Sequence, residues 1–305
     1  MLGIVIPYYN YNYFESTLKS LSLQTDKRFN VYIGNDNSVN NPVDIIEKYK
    51  ECLNITYKSF DNNLGKKSLV KQWKRCIDMT LDETWIMLLG DDDVLGKNCV
   101  EFFYANMNNI LKEDIEVVRF ASQYINEDGN PLKGYPLYNH SKIEKATDAY
   151  YRKCLGQSRS SLSEHIFSKA AYLKNKLYNY PLAWFSDDRM WLEFTNFQKI
   201  YTLNEAVVSI RVTSNSITGK DNNLTEKSEA KMQFYEFLVN QALNKFETKQ
   251  QEYFLLEYGN VLKENRQLHF NKACIIAFKL FKQGSFISGL KILNRFIKAN
   301  RKYKK

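Results

Sequence analysis

The stretch Trp85-Ile86-Met87-Leu88-Leu89-Gly90-Asp91-Asp92-Asp93-Val94-Leu95 decides the fold of this chain. Five apolar residues run directly into a glycine and three consecutive carboxylates. An unbroken apolar run bounded by turn residues is typical of a strand buried on both faces, as in a parallel sheet covered by helices. At the carboxyl end of such a strand, the chain emerges into the crevice in which open α/β sheets bind their ligands.

Three carboxylates at this position repel one another, so the folded protein needs a partner for their charge. Hard oxygen ligands suit Mg²⁺ or Mn²⁺ and leave coordination positions for substrate phosphates. A simpler interpretation, in which one aspartate caps the segment that begins near Val94, accounts for one carboxylate and leaves two unexplained. The triplet therefore predicts a site for Mn²⁺ or Mg²⁺.

Upstream of this strand, short apolar runs alternate with amphipathic segments. We expect strands at residues 2–7, 29–33 and 55–60, and helices at residues 14–23, 42–50 and 67–79. The order β-α-β-α-β-α-β predicts a parallel sheet with crossover helices. The sequence contains neither a GxGxxG nor a GxxxxGK[ST] loop, which argues against a nicotinamide-dependent enzyme and a P-loop ATPase.

Composition narrows the class of protein further. The 305 residues have an ordinary globular composition and suffice for one elaborated domain or two. The five cysteines are scattered and form no CxxC pair, which indicates a reducing compartment and argues against a zinc site. The sequence shows no signal peptide and no apolar run of the roughly 20 residues that span a bilayer. We expect a cytoplasmic protein, with a peripheral position on the cytoplasmic membrane face as an alternative.

The net charge of +9 lies in the last part of the chain. Residues 224–305 contain 16 Lys and Arg against 7 Asp and Glu, and all five prolines lie before residue 182. The apolar spacing of this part predicts amphipathic helices. A basic amphipathic region either lies on anionic lipid or packs as a helical bundle with a solvated tail. Nucleic-acid binding is the weaker interpretation, because the lysines follow no recognised motif.

Motifs in the first 95 residues, in this order and at this spacing, resemble those of the inverting family 2 glycosyltransferases of the GT-A fold. They are Ile4-Val5-Ile6-Pro7-Tyr8-Tyr9-Asn10, Ser20-Leu21-Ser22-Leu23-Gln24-Thr25, Asn35-Asp36-Asn37-Ser38 and the aspartate triplet, where the family has VIPTYN, SLLNQT, DDGS and the DxD metal motif. Between them, Asn63-Leu64-Gly65 and Gln72-Trp73-Lys74-Arg75-Cys76 are similar to the NxG…NWNRC segment.

The resemblance implies an α/β protein with a GT-A, Rossmann-like mixed sheet flanked by helices and with a C-terminal helical extension. Residues 1–222 would form the glycosyltransferase domain, with a nucleotide-sugar-binding half at 1–115 and an acceptor half at 116–222. Residues 223–305 would form the basic helical region. The implied activity is the inverting, metal-dependent transfer of a sugar from a nucleotide sugar, expected to be a UDP-sugar, to a hydroxyl of a glycan or lipid-linked acceptor in polysaccharide biosynthesis.

The resemblance also implies roles for individual residues. The residues expected to bind the donor are Pro7, Tyr8, Tyr9, Asn10, Asp36, Asn63, Gly65, Asp91, Asp92 and Arg211. Asp36 would accept a hydrogen bond from the base, and Asp91 would lie near the ribose. Asp93 and Asp92 would hold the metal and the diphosphate, although the register within the triplet is open by one position. A plain turn is the alternative at residues 35–38.

The segment Trp184-Phe185-Ser186-Asp187-Asp188-Arg189-Met190-Trp191-Leu192 is similar to the EDxxL segment of the family, which carries the catalytic base. Asp188 is the expected base and Asp187 its neighbour or substitute. An acidic helix N-terminus that caps the helix and faces its dipole is the alternative. Arg211 begins a segment, residues 211–218, that resembles the RxHxxSxS loop over the diphosphate, although Thr213 replaces the histidine.

A non-enzymatic alternative remains at this stage. A degenerate GT-A fold would bind membrane or nucleic acid through its basic C-terminal third. The carboxylates at both expected places favour the enzyme, for which no nucleic-acid partner is expected.

Overall fold

The computed structural model describes residues 1–214, 216, 219 and 222–303. For residues 301–303 it describes only the helical backbone. The chain divides into one unit made of Met1–Asn179 and Ser186–Asp221 and a second made of Tyr180–Phe185 and Asn222–Lys305. The segment Tyr180–Phe185 thus belongs to the second unit. The boundary predicted from the sequence, between residues 222 and 223, would leave this segment in the first. The functional domain boundaries named above stay predictions.

Within the described residues, the first unit contains a nine-stranded mixed sheet in the order β3-β2-β1-β4-β8-β6-β9-β5, with β7 paired to β9. The strands are β1 Leu2–Tyr8, β2 Phe29–Asn35, β3 Ile55–Ser59, β4 Trp85–Leu88, β5 Val94–Leu95, β6 Val117–Ile125, β7 Ile143–Lys145, β8 His165–Ser168 and β9 Lys199–Arg211. Strands β1 to β4 pair in parallel, as the alternating pattern predicts. The expected α/β fold with a mixed sheet is confirmed.

The helices of the first unit cover this sheet. They are α1 Phe14–Ser22, α2 Val43–Tyr49, α3 Leu69–Ile77, α4 Cys99–Ala105, α5 Met107–Lys112, α6 Ala146–Cys154, α7 Lys169–Asn175 and α8 Ser186–Phe194. The Ser68 side chain caps α3 by accepting a hydrogen bond from the Lys71 amide. Apolar residues of β1, β2 and β4, including Ile4, Val31 and Met87, are fully buried in the main core.

Two expected elements differ from the observed ones. The sequence pattern of residues 98–111 predicts a single helix, which is wrong, because Asn106 has non-helical backbone angles and separates α4 from α5. The apolar runs at residues 199–203 and 206–212 predict two separate strands, which is also wrong, because β9 continues through the polar residues between them. The register with β6 shifts there by a bulge opposite Phe120 and Ala121.

The second unit is helical in its described residues. Helix α9, Leu224–Phe237, continues into a π-helical turn at Leu238–Ala242 and a 3₁₀ turn at Leu243–Lys245. It is followed by α10 Thr248–Glu264, α11 Phe270–Lys282 and α12 Phe286–Tyr303. The Phe185 ring stacks on Phe234 of α9, with 4.9 Å between the ring centroids. Among the described residues, no helix has both the length and the apolar character needed to cross a bilayer.

Candidate active site

The carboxyl ends of β1, β2 and β4 meet at one edge of the sheet. The register pairs Tyr8 with Asn35 and Val5 with Leu88, so the residues that follow these strands are neighbours in space. The Asp36 amide donates a hydrogen bond of 3.0 Å to the Tyr8 carbonyl. The motifs after β1, β2 and β4, which are far apart in sequence, are thereby brought together.

Asp91 joins the loop after β1 to the end of β4. Its Oδ2 accepts hydrogen bonds from the amides of Tyr9 and Asn10, both at 2.6 Å. A carboxylate oxygen has two acceptor positions, so this oxygen is saturated, while Oδ1 accepts no hydrogen bond from a described residue. Asp91 therefore orients the loop that contains Tyr9 and Asn10, two of the expected donor-binding residues.

Asp93 is the most buried carboxylate of the triplet, with 6% of its surface exposed. Its Oδ2 accepts a hydrogen bond of 2.5 Å from the Ser163 hydroxyl, and its Oδ1 accepts one of 2.9 Å from the Arg211 amide. The same Ser163 oxygen accepts a hydrogen bond of 2.9 Å from the Gly90 amide. One acceptor position on each carboxylate oxygen of Asp93 remains available for a ligand.

Asp92 differs from its neighbours because its carboxylate accepts no hydrogen bond from another described residue. It is partly exposed. A methyl group built on Gly90 would lie 2.7 Å from Asp93 Oδ2 and 3.1 Å from Asp92 Oδ1. The two carboxylates therefore approach the same side of Gly90, where a larger residue would collide with them.

The three carboxylates are held in a low-dielectric environment. Burial, and then repulsion from Asp92, raise the pKa of Asp91 to about 7 and that of Asp93 to about 8. Burial also raises the pKa of Asp92, against the attraction of the nearby Arg211 charge. Ionisation of the whole triplet is thus unfavourable without a further positive charge.

The donor set fits a hard divalent cation that is shared with a substrate. Asp92 offers both of its oxygens and Asp93 one acceptor position on each. No group of three or more His, Cys, Asp and Glu side chains forms a metal site in the part of the chain that the structure describes. Mg²⁺ is commonly bound in this way, by one or two carboxylates together with substrate phosphates and water.

Arg211 is committed largely to the protein in this structure. Its Nε donates to the Asp92 carbonyl at 3.0 Å, and its Nη1 donates to the carbonyls of Asn126 and Glu127, both at 2.8 Å. Its Nη2 lies 3.4 Å from the Ser16 hydroxyl, so one of the five guanidinium donors has no partner among the described residues. Arg211 thus fixes the backbone of the triplet, and its expected contact with phosphate stays a prediction. Asn215, Ile217 and Thr218 of the same motif lie outside the described residues.

Asp36 binds the turn that follows β3. Its Oδ1 accepts a hydrogen bond of 2.7 Å from the Leu64 amide and a second from Arg75 Nη2, and its Oδ2 accepts one of 2.8 Å from the Gly65 amide. A Cβ at position 65 would lie 2.5 Å from Asp36 Oδ2, so the close approach requires glycine. One acceptor position remains on Oδ2, which is the capacity that the expected contact with a nucleotide base needs.

The remaining donor-binding candidates surround this edge in different ways. Tyr8 is buried, with its hydroxyl donating to the Asn40 carbonyl at 2.8 Å, whereas Tyr9 is 52% exposed. Pro7 and Asn10 are partly exposed. Asn63 accepts a hydrogen bond of 2.8 Å from the Lys66 amide and so shapes the same turn as Gly65. Tyr8 therefore supports the edge, while Tyr9 is available to a ligand.

The second acidic site lies at the beginning of α8. Asp188 is buried, and the Lys153 ammonium of α6 lies 2.5 Å from its Oδ1 and 2.6 Å from its Oδ2. Asp187 is partly exposed. Burial, and then repulsion from Asp188, raise the pKa of Asp187 to about 7, while Lys153 acts in the opposite direction. A carboxylate with such a pKa is suited to proton transfer near neutral pH.

Two contributors to these sites were not identified from the sequence. Ser163 and Lys153 belong to polar segments without a motif, and only the tertiary structure shows that they contact Asp93 and Asp188. His165, two residues after Ser163, is buried, and its ring stacks on that of Trp191 with 6.2 Å between the ring centroids. Burial lowers the pKa of His165 to about 3, which fits a neutral structural residue.

Comparisons with known proteins place this geometry in context. The sequence matches the family model described as Glycosyl transferase family 2 over residues 3–167, which is more than half of the chain. That range includes the triplet and Ser163 and ends before Asp187. No curated protein sequence matches the chain.

Solved structures of S. aureus TarS share the fold. TarS 1-349 covers 98% of this chain and 80% of its own length, with a TM-score of 0.62 and 18% identity. The same protein in complex with UDP-GlcNAc covers 98% and 81%, with a TM-score of 0.64 and 17% identity. In complex with UDP it covers 99% and 91%, with a TM-score of 0.57 and 16% identity. At these identities, the likeness establishes the fold alone.

Proposed function

We propose that this chain moves a sugar from a nucleotide sugar to a hydroxyl of a glycan or lipid-linked acceptor. The chain belongs to glycosyl transferase family 2 and is therefore a glycosyltransferase. The aspartate triplet at the ends of β1 and β4 is the observation that supports this assignment most directly. It combines a loop that Asp91 holds through two amide hydrogen bonds with the Asp92 carboxylate, which accepts no hydrogen bond from another described residue. Such an edge of a mixed sheet is where α/β proteins bind nucleotides.

UDP is the nucleotide that we propose for the donor. S. aureus TarS has been solved in complex with UDP-GlcNAc and with UDP, and its fold is shared by this chain. Within the edge described above, the exposed Tyr9 ring offers a surface for a base, and Asp36 Oδ2 offers one acceptor position. Asn63 and Gly65 would shape the same pocket by fixing the turn that Asp36 binds.

Mn²⁺ or Mg²⁺ is the proposed cofactor, held by Asp92 and Asp93. When bound, the cation stabilises the negative charge that develops on the leaving diphosphate. The chain itself positions the two ligands, because Ser163 and the Arg211 amide fix Asp93 and the Arg211 side chain fixes the Asp92 carbonyl. The donors to the Asp93 carboxylate are neutral groups, so they leave its charge available to the cation.

The proposed mechanism is inverting and uses one carboxylate of the α8 pair as the base. Such a base takes the proton of the acceptor hydroxyl as its oxygen attacks the anomeric carbon. Sequence resemblance implies Asp188, but the accessible Asp187, whose pKa is raised to about 7, fits the base better in this structure. Asp188, with Lys153 on both of its oxygens, would hold the beginning of α8 in place.

Calorimetric titration of the protein with UDP, GDP, CDP and dTDP, each with and without Mn²⁺, tests the proposal. We expect one of them, UDP, to bind and to bind more tightly with the metal. Binding of another nucleotide alone would replace UDP as the donor class. If none binds in either condition, the non-enzymatic alternative, a degenerate GT-A fold, gains support.

A further inference from the structure

The last two helices expose a set of large apolar side chains. Seven of the 21 large hydrophobic residues that are exposed among those described lie between residues 270 and 297. Phe278 is 68% exposed, Ile287 73% and Leu290 61%. Single exposed apolar residues are ordinary on a protein surface, whereas a concentration of them over two helices marks an interaction surface.

These residues lie on the outer face of an antiparallel hairpin. The Phe281 and Phe286 rings are 5.9 Å apart near the connecting turn, and the Phe270 and Phe296 rings are 5.7 Å apart at the other end. The two helices therefore run side by side over most of their length. Gly284, with a φ of +82°, permits the tight turn between them.

Helical periodicity shows that α11 exposes one continuous face. Ile275, Phe278 and Lys282, at i, i+3 and i+7, are exposed, whereas Ile276 and Leu280, on the opposite face, are buried. The aromatic residues of α11 that contact α12 lie between these two faces.

Helix α12 follows the same scheme. Phe286, Leu290 and Ile297 are exposed, while Ile292 and Ala299 are buried on the opposite side. On α12, Gly289 and Phe296, which lie against Phe281 and Phe270 of α11, separate the buried face from the exposed one. The two exposed faces therefore adjoin on the outer side of the hairpin and form one surface, which we call the α11–α12 face.

The charge of this region has a single sign. Residues 265–305 contain 11 Lys and Arg and neither Asp nor Glu. Lys282, Lys291 and Lys298 are exposed among the apolar residues of the α11–α12 face. Basic side chains interleaved with aliphatic and aromatic ones match a surface that is anionic outside and apolar beneath, as is the headgroup region of an acidic bilayer.

We propose that the α11–α12 face binds the surface of anionic lipid bilayers. Apolar side chains of this face enter the headgroup region while the lysines contact lipid phosphates. Two copies of the protein would instead bring like charges together, and nucleic acid offers no apolar layer for Ile287 and Leu290. The inference rests on the second unit and is independent of the donor proposed above.

Vesicle co-sedimentation of the full chain tests this proposal. Vesicles of phosphatidylcholine with about one-quarter phosphatidylglycerol are compared with pure phosphatidylcholine, each at low and high salt. We expect binding to the anionic vesicles alone, weakened by salt, because surface electrostatics is screened. Absence of binding to the anionic vesicles, or equal binding to both kinds, would overturn the proposal.

Three variants locate the contact. The triple change Phe278→Ser, Ile287→Ser and Leu290→Ser should weaken vesicle binding about tenfold or more, since three apolar insertions are lost. The triple change Lys282→Gln, Lys291→Gln and Lys298→Gln should remove most of the salt dependence. The control, Leu81→Ser with Leu173→Ser, removes two residues of the first unit that are 73% and 62% exposed, and it should bind as the wild type does.

Folding and self-association are measured on the same samples. Circular dichroism should show wild-type helix content in all three variants. If the Ser variant is folded and still binds, the α11–α12 face is not the lipid contact. If light scattering instead shows a wild-type dimer that the Ser variant abolishes, without vesicle binding, the face is an interface between copies and the proposal is wrong.

Discussion

The two acidic clusters of the first unit differ in what balances their charge. The triplet Asp91–Asp93 receives hydrogen bonds from backbone amides and one hydroxyl, and in the described residues no cationic group contacts its carboxylates. The pair Asp187–Asp188 has Lys153 at 2.5 Å from Asp188. The protein thus places a cation in contact with the second cluster, whereas the Arg211 guanidinium near the first donates to backbone carbonyls.

This difference suits the roles proposed for the two clusters, cation binding for the first and proton transfer for the second. A cluster that lacks a cation gains most from a metal and from the diphosphate that the metal holds. In the pair, Lys153 contacts Asp188 and lowers the pKa of Asp187 only in part, so the pKa of Asp187 stays raised by burial and by repulsion from Asp188. Mutations of the two clusters should accordingly change different measured quantities.

Asp187→Asn should have the largest effect, because it removes the proposed base without changing the size of the side chain. We expect the rate of sugar transfer to fall about 10²–10⁴-fold, which is the usual contribution of a general base. Calorimetric nucleotide binding should be unchanged. Asp188→Asn is the matched comparison, with a smaller loss of rate and a larger loss of stability. If Asp188→Asn loses transfer while Asp187→Asn keeps it, the base is Asp188, as the sequence resemblance implies.

Asp92→Asn should affect the other cluster, because it removes the carboxylate with the most available oxygens. A bound metal stabilises the transition state by several kcal/mol, so its loss should lower the transfer rate by about 10²-fold or more. The dependence of nucleotide binding on Mn²⁺ should disappear in titration. Asp82→Asn, on an exposed residue of the same unit, is the control. Unchanged metal dependence in Asp92→Asn would move the metal site elsewhere.

Lys153→Met tests whether the cation of the second cluster acts on both aspartates. Loss of the ion pair leaves Asp188 buried without a counter-charge, so the free energy of unfolding, measured by chemical denaturation, should fall by about 2 kcal/mol. This loss is smaller than that for a fully buried pair, because the Lys153 side chain is 24% exposed. The exposed Lys174→Met is the control. A variant as stable as the wild type would show that the pair contributes little.

The same variant should change the pH dependence of transfer. The base must be deprotonated, so wild-type transfer should rise as the pH increases through the pKa of Asp187, which is about 7. Asp188 raises and Lys153 lowers that pKa, so removal of the lysine should move the rise to higher pH. A profile that stays in place would separate Lys153 from the base.

Ser163→Ala should have the smallest effect. The hydroxyl donates to Asp93 and accepts from the Gly90 amide, so its loss leaves one buried amide unpaired. We expect the free energy of unfolding to fall by about 1 kcal/mol. The affinity for Mn²⁺ should weaken because Asp93 loses a positioning contact. Unchanged affinity would mean that the Arg211 amide is enough to fix Asp93.

The parallel half of the fold could be predicted because its signals are local. The apolar runs that become β1, β2 and β4 each end in a polar turn, and Asp91 is found where such a run leaves the sheet. A buried strand of Val, Ile and Leu has few alternatives, and crossover helices impose parallel order. The residues that follow these strands accordingly lie at one edge of the sheet, while their roles in donor binding stay predictions.

The other half depends on contacts between distant segments. Strand β8, with four residues, pairs antiparallel with both β4 and β6, and it has no alternating pattern that would reveal this position. The pairing of Lys153 with Asp188 joins α6 to α8 across 35 residues. A lone lysine in a basic protein gives no signal of such a role, so the environment of the α8 pair could not be predicted.

The bonds from the Tyr9 and Asn10 amides to Asp91 also provide a spectroscopic reporter. Both amide protons point at one carboxylate oxygen, so their chemical shifts and their exchange with deuterium depend on whether that carboxylate is ionised. A nuclear magnetic resonance titration that follows these two signals would register the charge state of the triplet directly. Binding of a ligand at this edge of the sheet could thus be followed in solution without a sugar, an acceptor or any turnover.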